Sequence, residues 1–236
     1  AEALEICYER FSAFADQISL HHSSYHNLSK IMGINGPSRA NGILLDLGIS
    51  SLQINSEDRG FSFQSNALVD MRFDQTKGQT AKDLIRESSE KELADIIYQF
   101  GEERKSRRIS NSIKKIKNLS TTMDLKEAIR KSTPPHHRNK THARVFQAIR
   151  IAVNDEIDKL KSFLKIFLDY LEIGGRLVVI SYHSIEDRIV KHSFRQLNNE
   201  YKVELLTKKP LTPSTDEIKL NKRSRSAKMR ALERVL

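Results

Sequence analysis

The sequence predicts an α/β fold carrying a helical insertion, and three observations lead there. Two short apolar runs, 42–47 (GILLDL) and 176–182 (RLVVISY), have the length and aliphatic composition of buried strands. The second is flanked by stretches of helical periodicity, 155–171 before it and 184–197 after it. Between the two runs, from about residue 80 to 131, the apolar spacing is helical throughout. Strands alternating with helices are the mark of an open, largely parallel sheet.

Taken in chain order, residues 2–17 place Ala3, Leu4, Cys7, Phe11 and Phe14 at helical spacing with no capping residue ahead of them. Residues 18–22 read as a weak strand, and 33–40, with Gly36-Pro37, as a loop. In the insertion Leu93, Ile96, Ile97 and Phe100 form one stripe, Ile109, Ile113 and Ile116 a second, Leu125 and Ile129 a third. Short helices joined at Gly101, 118–122 and 133–135 follow from those stripes. Residues 143–153 continue as helix. The next helix, 155–171, carries Ile157, Leu160, Phe163, Leu164, Phe167, Leu168 and Leu171 and is expected to stop at Gly174-Gly175. A strand at 201–207, a charged, proline-containing loop at 208–225 and a last strand near 228–235 complete the chain. The expected division is 1–64 and 143–236 as two parts of the α/β domain, with 65–142 as the helical insertion.

Composition narrows the function classes. The longest apolar runs fall well short of the roughly 20 residues that span a bilayer, and this sequence shows no basic start with an apolar core and small-residue cleavage site, so secretion is not expected. One cysteine, Cys7, leaves no internal disulfide and makes a cysteine-based metal site a poor fit, so a reducing, cytoplasmic setting is expected. The net charge of +10 is concentrated. Residues 102–150 carry 14 basic and 4 acidic groups, and 201–236 carry 10 and 4, while the rest of the chain is acidic on balance. Segregated Lys and Arg are the footprint of a phosphate-binding surface, although solvated helix faces produce the same count.

Three constellations carry chemistry. In 43–51 (ILLDLGISS) a strand delivers Asp46, Gly48, Ser50 and Ser51, followed by Gln53, to the sheet's carboxyl edge, where open α/β sheets bind ligands. The serines also read as caps of their own backbone, but Asp46 follows apolar strand residues and needs a partner or a ligand. In Ser181-Tyr182-His183-Ser184-Ile185-Glu186-Asp187-Arg188 a strand turns into a helix; Ser184 and Asp187 have capping-box spacing, which leaves Tyr182 and His183 to hold a base. In Asn154-Asp155-Glu156, Asn154 reads as the N-cap of the following helix. His136, His137 and His142 lie among Arg138, Lys140 and Arg144, where phosphate contact fits better than zinc.

Together with 58–63 (DRGFSF) and 146–156 (FQAIRIAVNDE), these segments make the chain resemble the bacterial 16S ribosomal RNA cytosine-N4 methyltransferases of the RsmH/MraW type. The resemblance implies a Rossmann-like S-adenosylmethionine-dependent methyltransferase fold. It also implies methyl transfer to cytosine N4 of small-subunit RNA at the decoding centre, with S-adenosyl-L-methionine as cofactor and 16S ribosomal RNA, or the small ribosomal subunit, as partner. By that resemblance Asp46, Gln53 and Leu28 contact the cofactor, Leu28 standing where the family has an aromatic. Asp46, Ser50, Ser51, Tyr182, His183 and Asn154 border the base, and Arg104, Lys105, Arg107, Arg108, Arg150 and Arg188 hold the RNA. No metal is implied. The family's glycine-rich turn and acidic turn are absent from this sequence, so the fold is expected to be N-terminally incomplete. That absence keeps open a non-catalytic RNA-binding or ribosome-associated protein; a hydrolase built on His183 and Asp187 is a weaker alternative.

Overall fold

The computed structural model describes residues 2–33, 38–56 and 58–236, leaving out the side chains of Glu2, Ser51 and Asn55. The Gly36-Pro37 loop and the side chain of Ser51 therefore lie outside the described residues. In order the elements are α1 (Glu2–Arg10), α2 (Leu28–Gly33), β1 (Ala40–Asp46), α3 (Ser51–Asn55), α4 (Ala81–Glu87), α5 (Glu90–Gly101), α6 (Ser106–Lys114), α7 (Thr122–Ser132), α8 (Arg138–Asn154), α9 (Glu156–Ile166), β2 (Leu171–Ser181), α10 (Ser184–Asn199), β3 (Val203–Leu205), α11 (Thr215–Leu220) and β4 (Lys228–Arg234). They form two compact units, one of Ala1–Gly48 with Ile157–Leu236 and one of Ile49–Glu156.

The first unit is built on a four-stranded sheet in the order β1-β2-β4-β3. β1 runs parallel to β2, with Leu45 opposite Val179 and Asp46 opposite Ile180. β4 lies antiparallel to β2, with Ser181 opposite Lys228, and β3 antiparallel to β4. Along β2, Leu177, Val179 and Ser181 are buried and alternate with the less buried Val178 and Ile180, the period of 2 that the pleat imposes. Leu177 and Val179 pack with Leu45, Leu47 and Leu232 against Leu160 and Phe163 of α9, Phe167 just after it, and Val190 and Phe194 of α10. Burying each such side chain contributes about 1.5–3 kcal/mol.

Several expectations change here. The sequence 18–22 forms no strand; Ile18 is exposed and no described strand pairs with it. α9 ends at Ile166 and passes through a 3₁₀ turn, Phe167–Tyr170, into β2. Gly174-Gly175 is therefore no helix stop but the site of a register slip inside β2, between the pairs Ala40 with Leu171 and Gly42 with Arg176. Apolar burial could not separate these readings, because Phe167 and Leu171 enter the same core whether the segment is helix or strand. The loop 208–225 contains α11, started by Ser214 Oγ accepting the Glu217 amide at 3.1 Å, and a 3₁₀ turn, Lys222–Ser226.

The second unit is helical. Thr80 with Asp83, Ser89 with Glu92, and Thr121 with Asp124 each make a reciprocal capping box that starts α4, α5 and α7. The stripes meet as one core of Leu93, Ile97, Ile109, Ile113, Leu125 and Ile129. That core also takes Phe61, Val69 and Met71 from one side and Val145, Phe146 and Ile149 of α8 from the other, so the units divide at 48/49 and 156/157 rather than at 64/65 and 142/143. Gly60 (φ +72) is required where the chain folds back, since a Cβ there would stand 2.2 Å from the Leu68 carbonyl oxygen.

Candidate active site

β1 ends on Asp46, whose side chain is exposed at the carboxyl edge of the parallel β1–β2 pair. The chain stays in the sheet for one more bond, Leu47 N–H to the Ile180 carbonyl at 3.0 Å, and then turns at Gly48 (φ +98). Tyr182, one residue past β2, lays its ring against Gly48, where an added Cβ would meet Tyr182 Cδ2 at 3.3 Å. Its hydroxyl donates to Asp46 Oδ1 at 3.0 Å. Burial, then the hydrogen bond to Asp46 and its charge, push the Tyr182 phenol up to about 12. Tyr182 is therefore a neutral donor at any working pH, and Asp46 is left with a second oxygen as acceptor.

The turn into α10 departs from the predicted capping. His183, not Ser184, is the N-cap: its Nδ1 accepts the Glu186 amide at 3.4 Å. Glu186, buried, accepts the Tyr182 amide on Oε2 at 3.0 Å and brings Oε1 to 3.1 Å from His183 Nε2. That last approach is an ion-pair distance at an angle too bent for a hydrogen bond. Asp187 belongs to the scaffold, because Arg230 Nε donates to its Oδ1 at 2.7 Å and Lys228 Nζ to its Oδ2 at 3.4 Å. Burial works to raise the Asp187 carboxyl, but Arg230 and Lys228 bring it below the usual carboxylate range. A His183–Asp187 hydrolytic pair therefore has no geometric basis. Leu28 opens α2 and packs on the first unit's core. Tyr25, in the turn just before it, sets its ring edge-on to Phe163 at 5.7 Å.

In the second unit the first motif continues as a helix start. Ser50 caps α3: its Oγ accepts the Gln53 amide at 3.2 Å while Gln53 Oε1 accepts the Ser50 amide at 3.0 Å. Asn154 does not cap α9. It is the last residue of α8, ahead of Asp155 in a left-handed conformation. Its buried amide accepts from Phe73 N at 2.7 Å and donates to the Met71 carbonyl at 2.7 Å. Met71 is fully buried with φ 60, so Asn154 fixes a strained loop. Arg59, in the DRGFSF motif, supports the same loop by donating to the Arg72 and Phe73 carbonyls at 2.8 and 3.0 Å. Arg150 is half of a mostly buried pair, donating from Nε and a terminal nitrogen to Glu156 at 2.8 and 2.9 Å.

Arg104, Lys105, Arg107 and Arg108 are all exposed around the start of α6, and Arg188 is exposed on α10. His142 is buried, 3.2 Å from the Lys126 carbonyl through Nε2 and close to the Phe63 ring; burial lowers its pKa below the ordinary imidazole value, the contact with the Lys126 carbonyl works against this, and the charges of Lys126 and Arg138 add to the lowering. It is a core residue rather than a phosphate contact. The sequence reading missed Glu186 and the Met71 loop. Glu186 lies within the quoted motif and could have been suspected as a helix-start acid, whereas nothing in 69–73 marks a left-handed methionine.

An acid and a tyrosine converging at the carboxyl edge of a mixed sheet with a parallel β1–β2 pair fit the Rossmann-like methyltransferase class. The chain belongs to the MraW methylase family, whose model matches residues 1–235. It is 44% identical to the ribosomal RNA small subunit methyltransferase H of Thermotoga neapolitana over 241 residues, covering 100% of this chain and 79% of that protein. Its identity to the protein of the same name from Thermosipho africanus is 44% over 239 residues, 100% and 80% of the two chains. The one from Synechococcus elongatus gives 44% over 230 residues, 96% and 75%.

Proposed function

We propose that this methyltransferase modifies small-subunit ribosomal RNA in the cytoplasm, transferring a methyl group from S-adenosylmethionine to a cytosine N4. The observation that carries the reading is the Tyr182–Asp46 hydrogen bond at the carboxyl edge of β1 and β2. The names of the relatives supply the RNA. The donor set suits the cofactor: an exposed carboxylate at the carboxyl edge, next to the left-handed Gly48 turn on which the Tyr182 ring packs, can accept from a hydroxyl or an ammonium group. When bound, the cofactor supplies an electrophilic methyl on a sulfonium. Asp46, with Leu28, belongs to its binding set, and the resemblance adds Gln53.

The exocyclic amine of cytosine is a poor nucleophile because its lone pair is delocalised into the ring. The protein's task is to orient that amine and accept its hydrogens. Asp46 Oδ2 is the acceptor we assign, with Tyr182 fixing the carboxylate through Oδ1 and staying protonated itself. His183 is assigned to the base side, together with Ser50 and Ser51 of the loop that the resemblance places there. Asn154, with its amide committed to Met71 and Phe73, is assigned a positioning role. Arg104, Lys105, Arg107, Arg108 and Arg188 are the RNA-backbone contacts; Arg150, already paired with Glu156, is dropped from that set. The test is single-turnover methylation of small-subunit RNA with Asp46→Ala beside the parent chain. Loss of turnover with RNA affinity retained is expected, and wild-type turnover in Asp46→Ala would overturn the site. RNA binding without any methyl transfer by the parent chain would favour the non-catalytic alternative.

A further inference from the structure

We propose that the basic turn Lys222–Ser226 is a binding site for the RNA phosphate backbone, set beside the Asp46–Tyr182 edge. The inference rests on the reading of the substrate as RNA. The turn reads Lys-Arg-Ser-Arg-Ser, and its conformation is fixed from within. Asn221 Oδ1 accepts the Arg223 amide at 3.1 Å, and the Asn221 carbonyl accepts Ser224 Oγ at 2.8 Å. The Ala227 amide closes the turn on the Ser224 carbonyl at 2.7 Å. Ser224 is thereby turned inward and buried, while Lys222, Arg223 and Arg225 remain exposed.

The sheet register gives this turn its place. It runs straight into β4, whose first residue, Lys228, pairs with Ser181, the residue before Tyr182. α11 packs against the same turn. Its Glu217 is close enough for its charge to contribute to the raised Tyr182 phenol. On the elements that flank the turn, Lys219 of α11 is paired with Asp216 at 2.8 Å and Lys228 of β4 with Asp187 at 3.4 Å. No described carboxylate lies within ion-pairing distance of Lys222 or Arg225.

Two unneutralised cations held apart on a pre-formed turn suit successive phosphates of a polynucleotide. Little order has to be imposed on the turn when it binds. Such contacts position an RNA strand without reading its sequence, which is what a neighbouring base-holding edge requires.

The experiment is filter binding of small-subunit ribosomal RNA across a salt series. It uses the parent chain, Lys222→Glu with Arg225→Glu, and the charge-preserving pair Lys222→Arg with Arg225→Lys. Two lost phosphate contacts should reduce the slope of log affinity against log salt by about 1.5 and weaken binding by roughly tenfold at 0.1 M salt. The charge-preserving pair should bind as the parent does. If the reversal pair melts early, Lys222→Gln with Arg225→Gln is judged by the same slope. An unchanged slope in these variants, with the parent binding RNA, overturns the site and leaves the RNA reading standing. Absence of salt-dependent RNA binding by the parent chain sinks both. Affinity of the parent for phosphatidylserine vesicles, lost in the reversal pair while RNA binding is not, assigns the turn to a membrane surface and also overturns the proposal.

Discussion

Tyr182 donates its phenolic hydrogen to Asp46 Oδ1 at 3.0 Å, joining the ends of two parallel strands across 136 residues of sequence. The bond fixes which carboxylate oxygen is occupied and keeps the phenol protonated. Removing it should affect both chemistry and stability. Tyr182→Phe keeps the ring on Gly48 and leaves Asp46 unrestrained. A hydrogen bond to a charged group contributes about 1.5–3 kcal/mol to stability, so the melting temperature should fall, and a comparable loss at the transition state would lower turnover by roughly 10- to 100-fold. Single-turnover methylation alongside thermal melts checks both.

The same pair has an alkaline signature. The folded-state value of Tyr182 is raised from 10.0 to about 12, so the folded protein holds this proton more tightly than the unfolded chain does. Its stabilising contribution is fully present below pH 10 and is lost as the pH rises from 10 toward 12. The chain has 6 tyrosines. In ultraviolet phenolate titration, the difference between the parent and Tyr182→Phe should be one group with a midpoint near 12. A difference midpoint near 10 would show the bond to be absent in solution.

Asp187 should behave as scaffold. Asp187→Ala leaves Arg230, itself buried, without its carboxylate. Breaking such a pair costs about 3–5 kcal/mol. Because the Asp187 carboxyl is held below its ordinary range, the pair's contribution is present above about pH 4 and lost as the pH falls through the depressed folded value. Denaturant melts of the parent against Asp187→Ala should therefore converge as the pH is lowered below 4. Per folded molecule, methyl transfer should be little altered.

Asp46 was legible because an acid ending an apolar strand run has few bland explanations. Tyr182 and His183 were legible because they follow the other strong strand. Their partners were not. Tyr182 finds Asp46 through strand register, and Asp187 finds Arg230 where α10 packs on β4, neither of which local spacing encodes. Asn154 misled for a different reason. An asparagine ahead of two acids reads as a helix start, yet Asp155 adopts φ 51 and separates two helices, so the same side chain ends the earlier one. Gly174-Gly175 likewise suits a helix stop and a strand irregularity equally well, and only the pairing of β2 with β1, Leu171 opposite Ala40 and Arg176 opposite Gly42, decides between them.

Asn154 gives a prediction distinct from catalysis. Its amide satisfies the Phe73 amide and the Met71 carbonyl, the latter on a residue held at φ 60. Asn154→Leu strands both groups, at about 1–3 kcal/mol for each buried unpaired group. The unfolding midpoint in urea should drop accordingly. Amide hydrogen exchange at Phe73 should accelerate more than at Leu93 in the neighbouring core.

The capping role of His183 allows scaffold and site to be separated at one position. His183 Nδ1 accepts the Glu186 amide at 3.4 Å, and a lost N-cap costs about 0.5–2 kcal/mol. His183→Ala should therefore lower the melting temperature. His183→Asp and His183→Asn should restore it, since both are strong N-caps at the start of α10. Ser184→Ala, one residue inside the helix, loses no N-cap and should cost less than His183→Ala. If the imidazole also holds the base, the Asp and Asn variants should regain stability without regaining turnover, and cofactor affinity should stay near that of the parent. Turnover that returns together with the melting temperature would make His183 a cap and nothing more, leaving Asp46 and Tyr182 as the proposed pair at the sheet's edge.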